Sequence, residues 1–164
     1  MNSYGEYTNF IPLLAPVDIA STVTASSYMS LKTAHRAAFL VYVGLLTSAT
    51  TTNTEDITVE AATVEGGTEV QIDFKYRLGS AVGANTWGAI TSASVLALAS
   101  DTQDGVMVWI EVDVDKCAAS DYTVARIKFT DNDDMTAALV SVVGMISPRY
   151  KLGTYKSATA SASS

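Results

Sequence analysis

The sequence predicts an all-β protein, an antiparallel β-sandwich or barrel of jelly-roll type with about eight strands. Three observations lead to this prediction. Apolar and polar residues alternate over long stretches, of which EVQIDFKYRL and VMVWIEVDVD are the clearest. Turn signals rich in glycine, aspartate and asparagine separate these stretches at short intervals. Small and β-branched residues are abundant, whereas only 16% of the residues are charged.

The most apolar stretch is HRAAFLVYVGLL, residues 35–46, which opens with the only histidine of the chain. It is too short for a membrane-spanning helix, which needs about 20 apolar residues. Two apolar faces alternate at period two: one holds Phe39, Val41, Val43 and Leu45, and the other holds Ala38, Leu40, Tyr42 and Leu46. β-Branched and aromatic residues recur in the stretch. We therefore predict a strand buried on both faces. The alternative is a short buried helix over residues 31–45.

The same pattern predicts the other elements. In the segment 69–78, every second side chain from Val70 to Leu78 is apolar, which predicts one half-buried strand with Glu69 on its solvated face. Further strands are predicted over residues 17–31, 56–64, 89–91, 95–99, 106–115, 122–130 and 135–146, with a helical turn over residues 116–120.

The length of 164 residues fits one domain. We place an extended N-terminal arm at residues 1–16, a β-sandwich domain at residues 17–152 and a Ser/Ala-rich C-terminal tail at residues 153–164. The arm contains Tyr4, Tyr7 and Phe10. Aromatic side chains are poorly suited to a free, solvated arm, so we expect the arm to pack on a neighbour.

The charge distribution opposes a general role in nucleic-acid binding, which needs a basic surface. The net charge is −7, and residues 55–134 hold fifteen acidic side chains against five basic ones. The segment 135–164 has three basic residues and no acidic one. It is either incidental to a solvated acidic body or docks on an acidic neighbour such as a second copy. The N-terminus lacks the basic region of a signal peptide, so we expect a soluble protein made in the cytoplasm.

Neither a catalytic site nor a cofactor or metal site is predicted. The single cysteine, Cys117, has no CxxC or Cys/His spacing around it. His35 could serve catalysis, but the chain has no GxSxG, P-loop or GxGxxG motif, and an edge or interface histidine is the simpler interpretation. The DNDD turn, residues 131–134, could bind Ca²⁺, but it lacks the glycine and distal glutamate of an EF-hand loop. Such turns are common for backbone reasons alone.

Two apolar side chains stand out on a face that should be polar. Met107 and Trp109 share one side of their strand with Glu111 and Asp113. A solvated face rarely carries tryptophan. The two side chains either form a small second core beneath a loop or contact another subunit.

From residue 66 onward, the order of features resembles one protein family. It runs from Gly66-Gly67 through a strand with Phe74 and Tyr76, a Trp87–Thr91 segment, IEVDVDK, DYTVARIKFT and an Ala/Val-rich last strand to SPRY, with its Arg149-Tyr150 pair. Over residues 17–152 the chain resembles the small β-rich head decoration, or cement, proteins of tailed bacteriophages. The resemblance implies a non-enzymatic structural virion protein on the capsid surface, made in the host cytoplasm. It also implies a homotrimer seated between capsomers, with the major capsid protein as its partner. The charge balance and the shortness of the apolar stretch predict no nucleic-acid and no membrane partner.

The candidate interface residues are Tyr4, Tyr7, Phe10, Met107, Trp109, Arg149, Tyr150, Lys151 and Lys156. Three alternatives stay open. The chain could be another phage structural component, such as a head–tail or tail protein. It could be a glycan-binding β-sandwich module in which Trp87 and Trp109 stack on sugars. A hydrolase using His35 and the Asp113/Asp115 pair has the least support.

Overall fold

A computed structural model of the chain describes residues 8–20, 23–48, 54–99, 103–131 and 135–148. Six of the candidate interface residues and the tail at 153–164 lie outside the described residues: Tyr4, Tyr7, Arg149, Tyr150, Lys151 and Lys156. Within the described ranges the elements are β1 (Asn9–Asp18), β2 (Thr24–Ala25), β3 (Met29–Ser30), β4 (Ala34–Ser48), β5 (Thr54–Ala62), β6 (Val70–Ile72), β7 (Phe74–Leu78), β8 (Thr91–Ala93), β9 (Val95–Ala99), β10 (Met107–Val112), α1 (Val114–Ala119), β11 (Val124–Asp131) and β12 (Met135–Pro148).

The strands form two antiparallel sheets that enclose one hydrophobic core. The larger sheet has the order β1-β12-β4-β10-β7-β8. The smaller sheet has the order β2-β11-β5-β6, with β3 paired to β11 and β9 paired to β5. The long strands β4, β5, β10, β11 and β12 alternate between the two sheets along the chain. This arrangement is that of a jelly roll, so the predicted fold class is confirmed. The described residues hold twelve strands and not about eight, because several predicted strands are divided between the two sheets.

The strand β4 forms the centre of the larger sheet, between β12 and β10. Phe39, Val41 and Val43 are fully buried in the core. The predicted strand is therefore confirmed, and the alternative of a helix is wrong. The prediction of burial on both faces holds only in part, because Tyr42 and Leu45 are exposed on the outer side.

A bulge near the end of β4 changes which side chains enter the core. Val43 pairs with Val140 and Leu46 pairs with Ala138, so residues 44 and 45 both stand opposite Leu139. The extra residue shifts the alternation by one position, which buries Leu46 and exposes Leu45. A Cβ atom on Gly44 would lie 3.2 Å from the backbone oxygen of Leu139, so the close strand approach favours glycine there.

The predicted strand over residues 69–78 is two strands in different sheets. β6 pairs with β5 in the smaller sheet, whereas β7 pairs with β10 in the larger sheet. The chain crosses between the sheets at Asp73, and the β8–β9 segment crosses in the same way at Ser94. The side-chain amide of Gln71 donates a hydrogen bond to the carbonyl of Ser94 at 3.0 Å and ties the two crossings together. Val70, expected in the core, is exposed.

The N-terminal arm predicted for residues 1–16 is wrong for residues 9–16. These residues belong to β1, which pairs antiparallel with β12 and forms an edge of the larger sheet. Leu13 points into the core, whereas Phe10 stays exposed on the outside. The aromatic and proline content that indicated a separate arm is that of an edge strand, where proline is tolerated.

The helix α1 starts two residues before the predicted helical turn. The side chain of Asp113 caps it by accepting the backbone N–H of Lys116 at 3.1 Å, and Val114 and Cys117 are buried beneath it. The strand β10 therefore ends at Val112, and the prediction of a strand over residues 106–115 is wrong for Asp113 and Asp115, which belong to the cap and first turn of α1.

Ile110 provides a test of the core. It is 0% exposed, and it pairs with Phe39 on one side and Tyr76 on the other. We expect Ile110→Asp to unfold the protein, because a buried unpaired carboxylate costs several kcal/mol against a total stability of about 5–15 kcal/mol. Met107→Asp, on the exposed side of the same strand, should remain folded. Far-ultraviolet circular dichroism and a thermal melt compare the two variants, and a native-like melt of Ile110→Asp would contradict the assigned core face.

Gly144 provides a test of how closely the sheets pack. A Cβ atom at this position would lie 2.7 Å from Leu13 Cδ1 and 2.8 Å from Met29 Sδ, both of which are in the buried interior. We expect Gly144→Ala to lower the free energy of unfolding by about 1–3 kcal/mol through overpacking. Gly88→Ala is the control, because its nearest contact would be an ordinary 3.5 Å. Urea unfolding measures both, and equal stabilities for the two variants would contradict this packing.

Candidate interaction surface

The outer side of the larger sheet carries a row of apolar side chains. On β10, Val108 and Ile110 enter the core, so Met107 and Trp109 point outward. Trp109 pairs with Leu40 on β4, and Leu40 pairs with Val143 on β12. The same row ends at Pro12 on the edge strand β1. The prediction that Met107 and Trp109 share a face is confirmed.

Neighbouring rows extend this surface in both directions. Met107 pairs with Tyr42, and Phe10 on β1 pairs with Met145 on β12. Phe10 and Trp109 lie three strand spacings apart across the sheet and two residues apart along it, about 16 Å in all at the usual strand dimensions. We call this surface the aromatic face and define it by the outward side chains of Phe10, Leu40, Tyr42, Trp87, Met107 and Trp109.

The aromatic face is open to solvent. Phe10 is 58% exposed, Tyr42 45%, Met107 44% and Trp87 40%. Exposed apolar groups occur singly on every protein surface, but adjacent ones on neighbouring strands form a patch. Tryptophan, tyrosine and methionine are also enriched in the centres of protein interfaces. The composition of the face therefore favours contact with another molecule.

The two tryptophans meet at one end of the aromatic face. The rings of Trp87 and Trp109 pack edge to face with their centroids 6.5 Å apart. The Trp109 indole N–H donates a hydrogen bond to Glu111 Oε1 at 2.9 Å. With Arg77, these three side chains line an open cleft of about 310 Å³. Charged groups thus border the apolar surface on the β7 side, where a polar rim would be expected.

The outer side of the smaller sheet is different, because charged side chains hold one another there. Arg126 donates from Nε and Nη2 to Glu60 Oε2 at 2.9 and 2.8 Å, and Lys128 Nζ donates to Glu60 Oε1 at 2.9 Å. The ring of Tyr28 stacks on the guanidinium of Arg126 at 4.9 Å. Because these charges are already paired within the chain, we expect a partner to gain less from contact with this surface than from burial of the aromatic face.

The alternation predicted Glu69 on a freely solvated face, and this prediction is wrong. Glu69 belongs to the network of paired charged side chains. The Tyr28 hydroxyl donates to Glu69 Oε1 at 2.5 Å, and Arg126 Nη2 lies 3.1 Å from the same oxygen. The hydrogen bond from Tyr28 lowers the pKa of Glu69 and raises that of Tyr28. Glu69, which immediately precedes β6, is thus linked across β5 to Arg126 of β11.

His35 lies at the start of β4, exposed, in a cleft of about 600 Å³ beside the aromatic face. Arg36, Trp109, Glu111 and Asp115 also line this cleft. Within the described part of the chain, the His35 ring has no hydrogen bond to an orienting carboxylate or to a hydroxyl nucleophile. The arrangement of a catalytic triad is therefore not assembled around this histidine by the described residues.

The other chemically interesting groups have structural contacts. Asp131 ends β11 and accepts the backbone N–H of Met135 at 3.1 Å, while residues 132–134 of the DNDD turn lie outside the described residues. Burial raises the pKa of the Cys117 thiol to about 11, which makes it a poor nucleophile. The described ranges contain no group of three or more histidine, cysteine or acidic side chains placed to hold a metal ion.

Comparison with protein-family models, curated proteins and solved structures finds no match to this chain. In the described ranges, no helix has the length and apolar character needed to cross a bilayer.

Part of the aromatic face is predictable from the sequence. Phe10, Met107 and Trp109 were predicted as interface residues, and the structure brings them to one surface. Tyr42 and Leu40 were missed, because they were assigned to a strand buried on both sides. The signal that could have found them is the match between the apolar outer side of β4 and the apolar outer side of β10.

Proposed function

We propose that the protein is a non-enzymatic structural virion protein that attaches to the outer surface of a bacteriophage capsid through the aromatic face. The observation that carries the proposal is the exposed patch around Tyr42, Met107 and Trp109 on one outer side of the jelly roll. The opposite outer side has its charges paired within the chain. The aromatic face is therefore the side that gains most from burial.

The fold is compatible with this function but does not determine it. Jelly rolls occur in viral capsid domains and in lectins, and one fold hosts many functions. The choice of the major capsid protein as partner, and of a trimer, comes from the resemblance to decoration proteins. Several copies joined in one oligomer would strengthen the attachment, because each further contact becomes intramolecular. Modest contacts through each aromatic face would then suffice.

A glycan-binding module is the second candidate function, favoured by one observation. The cleft lined by Trp87, Trp109, Arg77 and Glu111 combines aromatic rings with charged groups. Aromatic rings supply apolar contact, and a few placed polar groups fix the orientation of a small ligand. A glycan would use this cleft alone, whereas a capsid would cover the whole aromatic face out to Phe10.

Attachment can be tested by co-sedimentation with capsids prepared without this protein. We expect Met107→Asp to weaken binding at least tenfold, about 1.4 kcal/mol, because it places a charge within the apolar contact. Val95→Asp is the matched control, since Val95 is an exposed valine on the smaller sheet. It should bind like the wild type. Wild-type binding by a correctly folded Met107→Asp would contradict the proposed surface.

Two further measurements separate the alternatives. The copy number per particle should be comparable to that of the major capsid protein, whereas a head–tail or tail protein would be present in far fewer copies. On an array of bacterial polysaccharides, a glycan-binding module would bind, and Trp87→Ala would abolish the signal. We expect no binding of the wild type on that array.

A further inference from the structure

One carboxyl group in the core, that of Glu55, has no hydrogen-bond partner among the described residues. Glu55 is the second residue of β5, and its side chain is 0% exposed. Neither of its oxygens accepts or donates a hydrogen bond to any part of the chain that the structure describes. Along β5 it alternates in phase with Ile57 and Val59, which are fully buried, so it points between the sheets. Among described residues it differs from Glu60, whose oxygens are bound by Arg126 and Lys128.

The surroundings of Glu55 disfavour a negative charge. On one side it pairs with Leu98 of β9, and on the other with Asp131 of β11. Like charges directly opposite on neighbouring strands repel each other. β12, which packs against β5, carries no titratable side chain between Met135 and Pro148. Within the described ranges, the charged groups that act on Glu55 are Asp131 and, on its own strand, Asp56, both acidic.

We propose that Glu55 is a buried, neutral carboxylic acid. Its ionisation loosens the end of the smaller sheet at which β9 and β11 pair with β5, so the stability of the fold responds to pH. An ionised carboxylate without hydrogen bonds is strongly penalised in the interior, whereas the protonated acid is tolerated. Burial, followed by the charges of Asp131 and Asp56, raises the pKa of Glu55 to about 8.

The direction of the pH dependence follows from proton linkage. Glu55 has a pKa of about 4.5 when unfolded and about 8 when folded. Between these values the folded state holds a proton that the unfolded state has lost, so stability decreases as pH rises. The contribution of the protonated Glu55 side chain to the free energy of unfolding is fully present below about pH 4.5 and is lost by about pH 8. The unfolding constant should grow about tenfold for each pH unit in this window because of this one group.

Urea unfolding of the full chain between about pH 5 and pH 8 tests the proposal. Glu55→Gln mimics the neutral acid and cannot ionise. The ratio of the wild-type unfolding constant to that of Glu55→Gln should therefore rise about tenfold per pH unit. Glu65→Gln, in an exposed turn, is the matched control and should keep the wild-type slope. A pH-independent ratio for Glu55→Gln would overturn the proposal.

Two more measurements keep the test decisive if Glu55→Gln does not fold. The carboxyl ¹³C signal of Glu55 in the wild-type protein should titrate well above the usual range of glutamate, and an ordinary midpoint would overturn the proposal. Asp131→Asn removes the facing charge and should move that midpoint to lower pH. An unchanged midpoint in Asp131→Asn would contradict the role assigned to the facing carboxylate.

Discussion

Period-two alternation in the central strands of the larger sheet is the constraint on which the rest of the structure depends. Phe39, Val41 and Ile110 fill the core from one side of β4 and β10. The residues between them must then point away from the core, and here they include Tyr42 and Trp109. Both sides of these strands are apolar. The inward side chains form the core of the jelly roll, and the outward side chains form an apolar surface that favours contact with another molecule.

The parts of the fold that the sequence predicted are those that depend only on alternation. The long strands were found, because their apolar side chains recur at every second position. The split of residues 69–78 was missed for the same reason. Alternation continues unbroken through Asp73, yet the chain leaves one sheet for the other there. Which sheet a strand joins depends on its hydrogen-bonded neighbours, and these are far away in sequence, as Gln71 and Ser94 illustrate.

An outward residue of the aromatic face was predicted where an apolar side chain interrupts a polar face, and it was missed where its neighbours in the sequence are also apolar. Trp109 on a polar side was a clear signal, whereas Tyr42 within an apolar run was not. Glu55 was missed too, because glutamate at the start of a strand is usually solvated. Its 0% exposure, in phase with Ile57 and Val59, shows that this carboxyl faces inward. For Tyr42 the missing information is cross-strand register, which one strand's sequence does not contain.

The edges of the larger sheet bear on how a partner can approach. β1 forms one edge and contains Pro12 and Pro16, which have no backbone N–H to donate to an added strand. β8 forms the other edge and has only three residues. Both features oppose extension of the sheet by a strand from another chain. A partner of the larger sheet is therefore expected to meet its outer side, where affinity comes from side-chain burial and where Trp109 and Met107 point outward.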